Sequence, residues 1–176
     1  NMLNVKYLIS LDQDNALSLN ENQENLGNAW FIESLVKVEN NNQEILMLNE
    51  LDYSKTCLST ILENKKYEYD SNNSIKLISR KSNELVYEYN SSNENFVVFS
   101  EAFYSKGWES YIDDIKVNHN KVNYLLRGME VPKGKHNIKF IFNPSVIKKG
   151  SIIMASSNFL LLILIGLYFK RKLAHV

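Results

Sequence analysis

Hydrophobic positions along this chain follow two rhythms. Up to about residue 142 they come in short runs with a period of two, and after that they merge into one long unbroken stretch. Leu85, Tyr87 and Tyr89 alternate with Val86 and Glu88, which predicts a half-buried strand with residues 75–79 as its antiparallel partner. The run NFVVFSEAFY at 95–104 begins with four consecutive apolar residues, the pattern of a strand covered on both faces. Trp108, Ser110 and Ile112 then alternate with Glu109, Tyr111 and Asp113, and a turn at Asp113-Asp114 leads into Ile115 and Val117 as a hairpin. After a second turn around 118–120, Val122, Tyr124 and Leu126 share a face. Pro132 to Gly134 make the next turn, Ile138, Phe140 and Phe142 share a face again, and Asn143-Pro144 ends the strand.

Short strands at roughly ten-residue spacing define the fold class: mainly β, an antiparallel, jelly-roll-like sandwich. One helix interrupts it. Asn42 is expected to cap a turn through 43–51, where Ile45, Leu46, Leu48 and Leu51 supply an apolar stripe. The Asn-rich spots at 40–42, 72–74 and 90–93 read as exposed loop tips.

The long stretch is SIIMASSNFLLLILIGLYF, 151–169, without a charge and interrupted only by Ser156, Ser157 and Asn158. At about 1.5 Å per residue it spans roughly 28 Å, close to the ~30 Å hydrocarbon core of a bilayer. A helix buried in a soluble core is usually shorter and keeps one polar face. The division expected is therefore a β-sandwich domain over 1–146, a transmembrane helix over 147–170 and a short tail over 171–176. Lys170, Arg171 and Lys172 on one side outweigh Lys148 and Lys149 on the other only slightly, so charge favours a cytoplasmic C-terminus by a narrow margin. Residues 1–10 have neither the basic start nor the apolar run of a signal peptide, which leads us to expect further protein upstream.

Composition removes several function classes. With 20 basic and 20 acidic residues the formal net charge is zero, and the Lys and Arg are scattered among acids, so nucleic acid is not an expected partner. The single Cys57 forms neither an intrachain disulfide nor a Cys-rich zinc site. His119, His136 and His175 lack metal-ligand spacing, no G-x-S-x-G elbow or Gly-rich phosphate loop occurs, and no cofactor is expected. Glu101, Glu109, Asp113 and Asp114 are the carboxylates from which a glycosidase pair would have to come, yet no motif orders them, and no catalytic residue is assigned. Trp108 invites two readings. Its indole could stack on a sugar while Glu109, Asp113 or Asn118 accepts hydrogen bonds from hydroxyls, or it could pack inward in register with Ile112, as Trp30 does beside Ile32. Arg127, a charge inside the apolar run YLLRGMEV, reads as a partner for Glu101 or Glu130, an edge cation, or a contact to an anionic polymer.

Four segments carry a resemblance: NMLNVKYLIS from Asn1, GNAWFIES from Gly27, FYSKGWESYIDD from Phe103 and NYLLRGMEVPKGKHNIKFIFNP from Asn123, followed by the hydrophobic helix. In that order the chain resembles the C-terminal part of the YfhO family of bacterial membrane proteins. It departs from the family's pattern at Ser105-Lys106, where a Pro commonly precedes the Gly-Trp pair, and at Asp113-Asp114, where Asp-Gly is frequent. The resemblance implies a large multi-pass protein of the kind grouped with polyprenyl-phosphate-dependent glycosyltransferases, with an extracytoplasmic β domain before the last helix and a cytoplasmic tail. It also implies that the transfer chemistry lies upstream of Asn1. The expected partners are the lipid bilayer, upstream transmembrane helices of the same protein, and a cell-envelope glycan or polyprenyl-phosphate sugar, with Trp108, Glu109, Tyr111, Asp113 and Arg127 as candidate glycan contacts. A single-pass, membrane-anchored β-sandwich binding or interaction module is the alternative.

Overall fold

A computed structural model describes residues 1–11 and 16–173, without the side chains of 168–169 and 172–173. His175 and the end of the expected tail lie outside the described residues. The strands are β1 (Tyr7–Leu11), β2 (Leu17–Glu21), β3 (Ala29–Phe31), β4 (Ser34–Lys37), β5 (Thr56–Ser59), β6 (Lys65–Lys66), β7 (Ser74–Lys81), β8 (Glu84–Ser91), β9 (Asn95–Ala102), β10 (Trp108–Ile112), β11 (Ile115–Val117), β12 (Asn120–Val122), β13 (Leu126–Val131) and β14 (Gly134–Phe142). Helix α1 (Asn41–Met47) lies between β4 and β5, and α2 (Ser145–Leu173) follows β14.

Two sheets form the sandwich. One has the order β11-β10-β14-β8-β7 and the other β12-β13-β9-β3, and the chain crosses between them after β8, β9, β11 and β13, as in a jelly roll. Leu85, Tyr87, Tyr89, Ile112, Ile138 and Phe140 from the first sheet meet Val97, Phe99, Met129 and Val131 from the second in one buried core. Edge-to-face contacts between Tyr87, Phe99 and Phe140, with centroids 4.9 to 6.2 Å apart, hold its centre.

The four-apolar run in β9 has the predicted cause. Val97 and Phe99 face the sandwich core, while Phe96 and Val98 face a second core with Trp30, Ile32, Leu35, Cys57 and Tyr67. A third layer, with strand order β5-β4-β6, supplies Leu35 and Cys57 to that core, and its β4–β5 pair is parallel although every other pairing is antiparallel. Gly128 is where this packing is tightest. A Cβ there would lie 2.5 Å from the Phe96 ring, so no larger residue fits without displacing it.

The structure corrects three local expectations. Helix α1 is capped by Asn40, whose Oδ1 accepts from Gln43 N at 3.0 Å, while the Gln43 side chain accepts from Glu39 N at 2.8 Å; Asn42 lies inside the first turn. Its apolar stripe is incomplete, because Ile45 and Leu46 are exposed and Glu44 is the buried residue, accepting from Tyr124 N at 2.8 Å. Tyr124 does not share a face with Val122 and Leu126: it sits in the β12–β13 turn at φ 68°, beside Asn123 at φ 46°. Asn123 sets that turn by acting as a strand. Its Oδ1 accepts from Leu58 N at 2.8 Å and its own N–H donates to Leu58 O at 2.9 Å.

Residues Asn1–Phe142 form one compact unit and Asn143–Val176 another. Within α2, Ser145–Leu167 is long and apolar enough to cross a membrane, with mean hydropathy 2.0 and none of its most apolar window buried. Ser156 and Ser157 satisfy their hydroxyls on the carbonyls of Ile152 and Ile153, at 2.8 and 2.7 Å, as a helix in lipid requires.

Candidate functional site

The five candidate residues, three on β10, Asp113 in the turn after it and Arg127 on β13, lie in three places. Strand β10 pairs with β14 through Trp108↔Phe142, Ser110↔Phe140 and Ile112↔Ile138, so Trp108, Ser110 and Ile112 turn toward the core. Glu109 and Tyr111 point the other way. Tyr111 donates its hydroxyl to Glu109 Oε2 at 3.0 Å, and Lys116 Nζ approaches Glu109 Oε1 at 2.5 Å. The bond to the Glu109 carboxylate raises the Tyr111 pKa. Asp113 lies at the far end, about 16 Å from Trp108 at ~3.3 Å per residue. There Asp113 and Asp114, at φ 47° and 67°, make the tight turn. Asp113 accepts from Asn137 N at 2.9 Å and meets His136 Nδ1 at 2.5 Å, while Asp114 meets Lys139 Nζ at 2.8 Å. The Asn137 amide, then His136, hold the Asp113 carboxyl below its usual range, and the same contact raises His136. Trp108 and Arg127 are the pair that comes together, Glu109 and Tyr111 form a second, and Asp113 stands apart from both.

At the Trp108 end the chemistry differs. Arg127 is inserted between the sheets where the β9–β13 register shifts at Leu126/Arg127, and only 2% of it is exposed. Its guanidinium carbon lies 4.3 Å from the Trp108 ring centroid and 5.2 Å from that of Phe140. Nε donates to Ala102 O at 2.9 Å, and Nη1 has no hydrogen-bond partner among the described residues. The expected ion pair with Glu101 or Glu130 is not made. Glu101 is taken by Arg80, and Glu130 by Lys65 and the Tyr67 hydroxyl. Burial lowers the Arg127 pKa, with the field of Glu101 opposing it. Tyr87, fully buried on β8, likewise has a hydroxyl with no partner among the described residues, and burial, then the charge of Glu101, pushes its pKa up.

Beside Trp108 opens a cleft of about 500 Å³ walled by Arg80, Lys81, Ser82, Leu85, Glu101 and Trp108; Arg127 and Tyr87 do not line it. The Arg80–Glu101 ion pair joins β7 of one sheet to β9 of the other across its mouth. Trp108 is half-buried here, its ring 5.2 Å from Phe142, so it is turned inward yet forms part of an accessible wall. A second cleft of about 430 Å³ lies by Tyr67, Phe96 and Glu130, but there Lys65 binds Glu94 and Glu130, and Tyr67 donates to Glu130 at 3.0 Å. Its polar groups satisfy one another. Tyr87, Arg80, Lys81 and Ser82 were not candidates from sequence: Tyr87 reads as one more inward residue of β8, and only the packed sheets bring its hydroxyl into the field of Arg127.

His119 backs the same region. The Ser110 hydroxyl donates to Val117 O at 2.8 Å, so the 2.9 Å contact with His119 Nδ1 is a bond donated by the ring. Burial, reinforced by the charge of Arg127, lowers the His119 pKa to about 4 and keeps the imidazole neutral. Among the described residues no group of three or more His, Cys, Asp or Glu is arranged to hold a metal.

Among the described residues these features are a β-sandwich domain and one helix long and apolar enough to cross a membrane. A family model described as bacterial membrane protein YfhO matches residues 62–154, more than half of the chain. The chain belongs to the YfhO family. No curated protein and no solved structure matches it.

Proposed function

We propose that this chain is a non-catalytic accessory domain, with the last membrane helix, of a larger protein that transfers glycosyl groups to cell-envelope glycans. In this reading residues 1–146 are extracytoplasmic, 147–170 span the bilayer, 171–176 are cytoplasmic, and further helices of the same protein lie upstream. The domain contacts the glycan or a polyprenyl-phosphate sugar through its Trp108–Arg127 end, with Glu109, Tyr111 and Asp113 as outer contacts. The observation that carries the non-catalytic part is that each candidate carboxylate is already engaged: Glu101 by Arg80, Glu109 by Lys116, Asp113 by His136 and Asp114 by Lys139. A glycosidase acid and base need two carboxyls facing one another across a substrate, with shifted and distinct proton affinities. Family membership favours the multi-pass reading over a singly anchored binding module.

The test is sugar incorporation by membranes carrying the full-length protein. Replacing Glu101, Glu109, Asp113 and Asp114 one at a time by the amide should leave the rate within about tenfold, ~1.4 kcal/mol of barrier. A thousandfold loss in a variant that still folds would place catalysis in this domain.

A further inference from the structure

Strands β1 and β2 pair only with each other among the described residues, through Tyr7↔Glu21, Ile9↔Leu19 and Leu11↔Leu17. Residues opposite one another share a face and neighbours alternate, so Tyr7, Ile9, Leu11, Leu17 and Leu19 lie on one side, with Glu21 at its base. Leu8, Ser10, Ser18 and Asn20 take the other side, where Asn20 Nδ2 donates to Ser10 Oγ at 3.2 Å. The five apolar side chains are 51–78% exposed. Together they leave on the order of 500 Å² of apolar surface in water, the size at which a patch marks a contact. A two-stranded hairpin without cover is also marginal in water.

The hairpin is rooted at a particular end of the sandwich. Asn4 Nδ2 donates to Asn28 Oδ1 at 3.1 Å, and Ser100, near the end of β9, donates its hydroxyl to Gly27 O at 2.6 Å and its amide to Asn28 O at 2.9 Å. That end of β9 carries Glu101 to the cleft it shares with Trp108, and Trp108 pairs with Phe142, the last residue of β14. The exposed Tyr104 joins them, its ring 6.5 Å from that of Phe142. From Phe142 the chain reaches α2 after only Asn143 and Pro144, at most about 11 Å of backbone.

We propose that the apolar face of the β1–β2 hairpin, with Tyr104 beside its root, lies in the headgroup layer of the bilayer that α2 crosses, a second lipid contact besides the helix. The polar face, with Ser10, Ser18 and Asn20, stays toward water. Neither strand contains Lys or Arg, so apolar area carries the contact and attraction to anionic headgroups does not. Tyrosine suits that layer, with an apolar ring and a hydroxyl that remains hydrated. The short link to α2 makes the encounter intramolecular, so a patch too small to hold a free protein on a membrane suffices. A second copy is the weaker candidate, because two such faces would bury only about 1,000 Å² in total, the lower limit for a stable interface.

The test reconstitutes residues 1–176 in phosphatidylcholine vesicles, with a bimane label on Leu19→Cys or, at the opposite end of the sandwich, on Lys133→Cys; the native Cys57 is buried. Lipids carrying a nitroxide at the headgroup or high on the acyl chain serve as quenchers. Strand β14 alone spans about 30 Å, so the Leu19 label should be quenched roughly fivefold more than the Lys133 label. Ile9→Asn together with Leu17→Asn should lower the Leu19 quenching severalfold without lowering the melting temperature, since both side chains are exposed. Equal, weak quenching of both labels overturns the docking. Energy transfer between differently labelled chains in place of quenching would make the occupant a second copy, and quenching that vanishes in the full-length protein would make it another part of that protein; either result overturns the bilayer contact. A chain that does not float with the vesicles overturns the span and the docking together.

Discussion

At one end of β10, Trp108 packs on a buried guanidinium whose Nη1 has no partner among the described residues; at the other, Asp113 and Asp114 form a turn in which one carboxylate meets the His136 ring and the other the Lys139 ammonium. Both ends are rich in charge, and from sequence the acidic turn is the more conspicuous. Satisfaction separates them. The turn's charges are solvated and already engaged, so they chiefly shape a hairpin and leave Asp113 only an outer contact to a ligand. The Trp108 end keeps donors out of water without giving them acceptors, a cost that a fold removes easily by substitution unless the groups serve something else.

The largest effect that would break this contrast is at Trp108 itself. Trp108→Ala removes a half-buried indole in contact with Arg127 and Phe142 and should destabilise the domain by ~2–4 kcal/mol, less than the loss of a fully enclosed aromatic. Asp113→Ala should cost much less, about 1 kcal/mol, since its bonds to Asn137 and His136 are exposed. Equal losses in urea unfolding would erase the distinction.

The two ends also carry histidines of opposite sign. His119, beside Arg127, has its pKa lowered to about 4, so below pH 6.5 the unfolded chain binds a proton that the folded chain refuses. Its contribution, roughly 2–3 kcal/mol, is present above pH 6.5 and is lost as pH falls toward 4. His136, beside Asp113, has a raised pKa; its contribution is complete below 6.5 and fades as pH rises through the raised value. Melting His119→Gln and His136→Gln against the parent from pH 5 to 8 should remove pH dependence of opposite slope. Slopes of the same sign would contradict the assignment.

Smaller still are Tyr87→Phe, expected to be neutral or stabilising by up to ~1 kcal/mol because an unpaired buried hydroxyl is removed, and Asp114→Gly. At φ 67°, glycine relieves strain of about 0.5–1 kcal/mol, against which the solvent-exposed Lys139 pair counts for little. Thermal melts resolve both. A loss of more than ~1 kcal/mol in Tyr87→Phe would mean that its hydroxyl is bonded after all.

Much of this contrast was hidden from a linear reading. Period-two alternation exposed β8, β10 and β14 and the hairpin turns between neighbours, because each depends on residues close in sequence. The doubled cover of β9 was legible in Phe96 to Phe99 for the same reason. The third layer was not: β4 and β5 pair in parallel across a helix, and their short apolar runs do not say which strand they will meet. Arg127 was legible as an anomaly but not as a buried one, since a register shift in β13 and the opposite sheet decide what surrounds it. Nothing in the sequence marks Asn123 or Glu44 as interior; only distant backbone amides, at Leu58 and Tyr124, make them so.

The central claim is that the Trp108 end serves the ligand while the acidic turn serves the fold. It is tested most directly by measuring sugar incorporation in membranes containing the full-length protein with Trp108→Phe or Asp113→Asn, each compared at equal amounts of folded protein. The account predicts that Trp108→Phe lowers incorporation by roughly tenfold, about 1.4 kcal/mol, whereas Asp113→Asn leaves it within about threefold. Full activity in Trp108→Phe together with its collapse in a folded Asp113→Asn protein would contradict it.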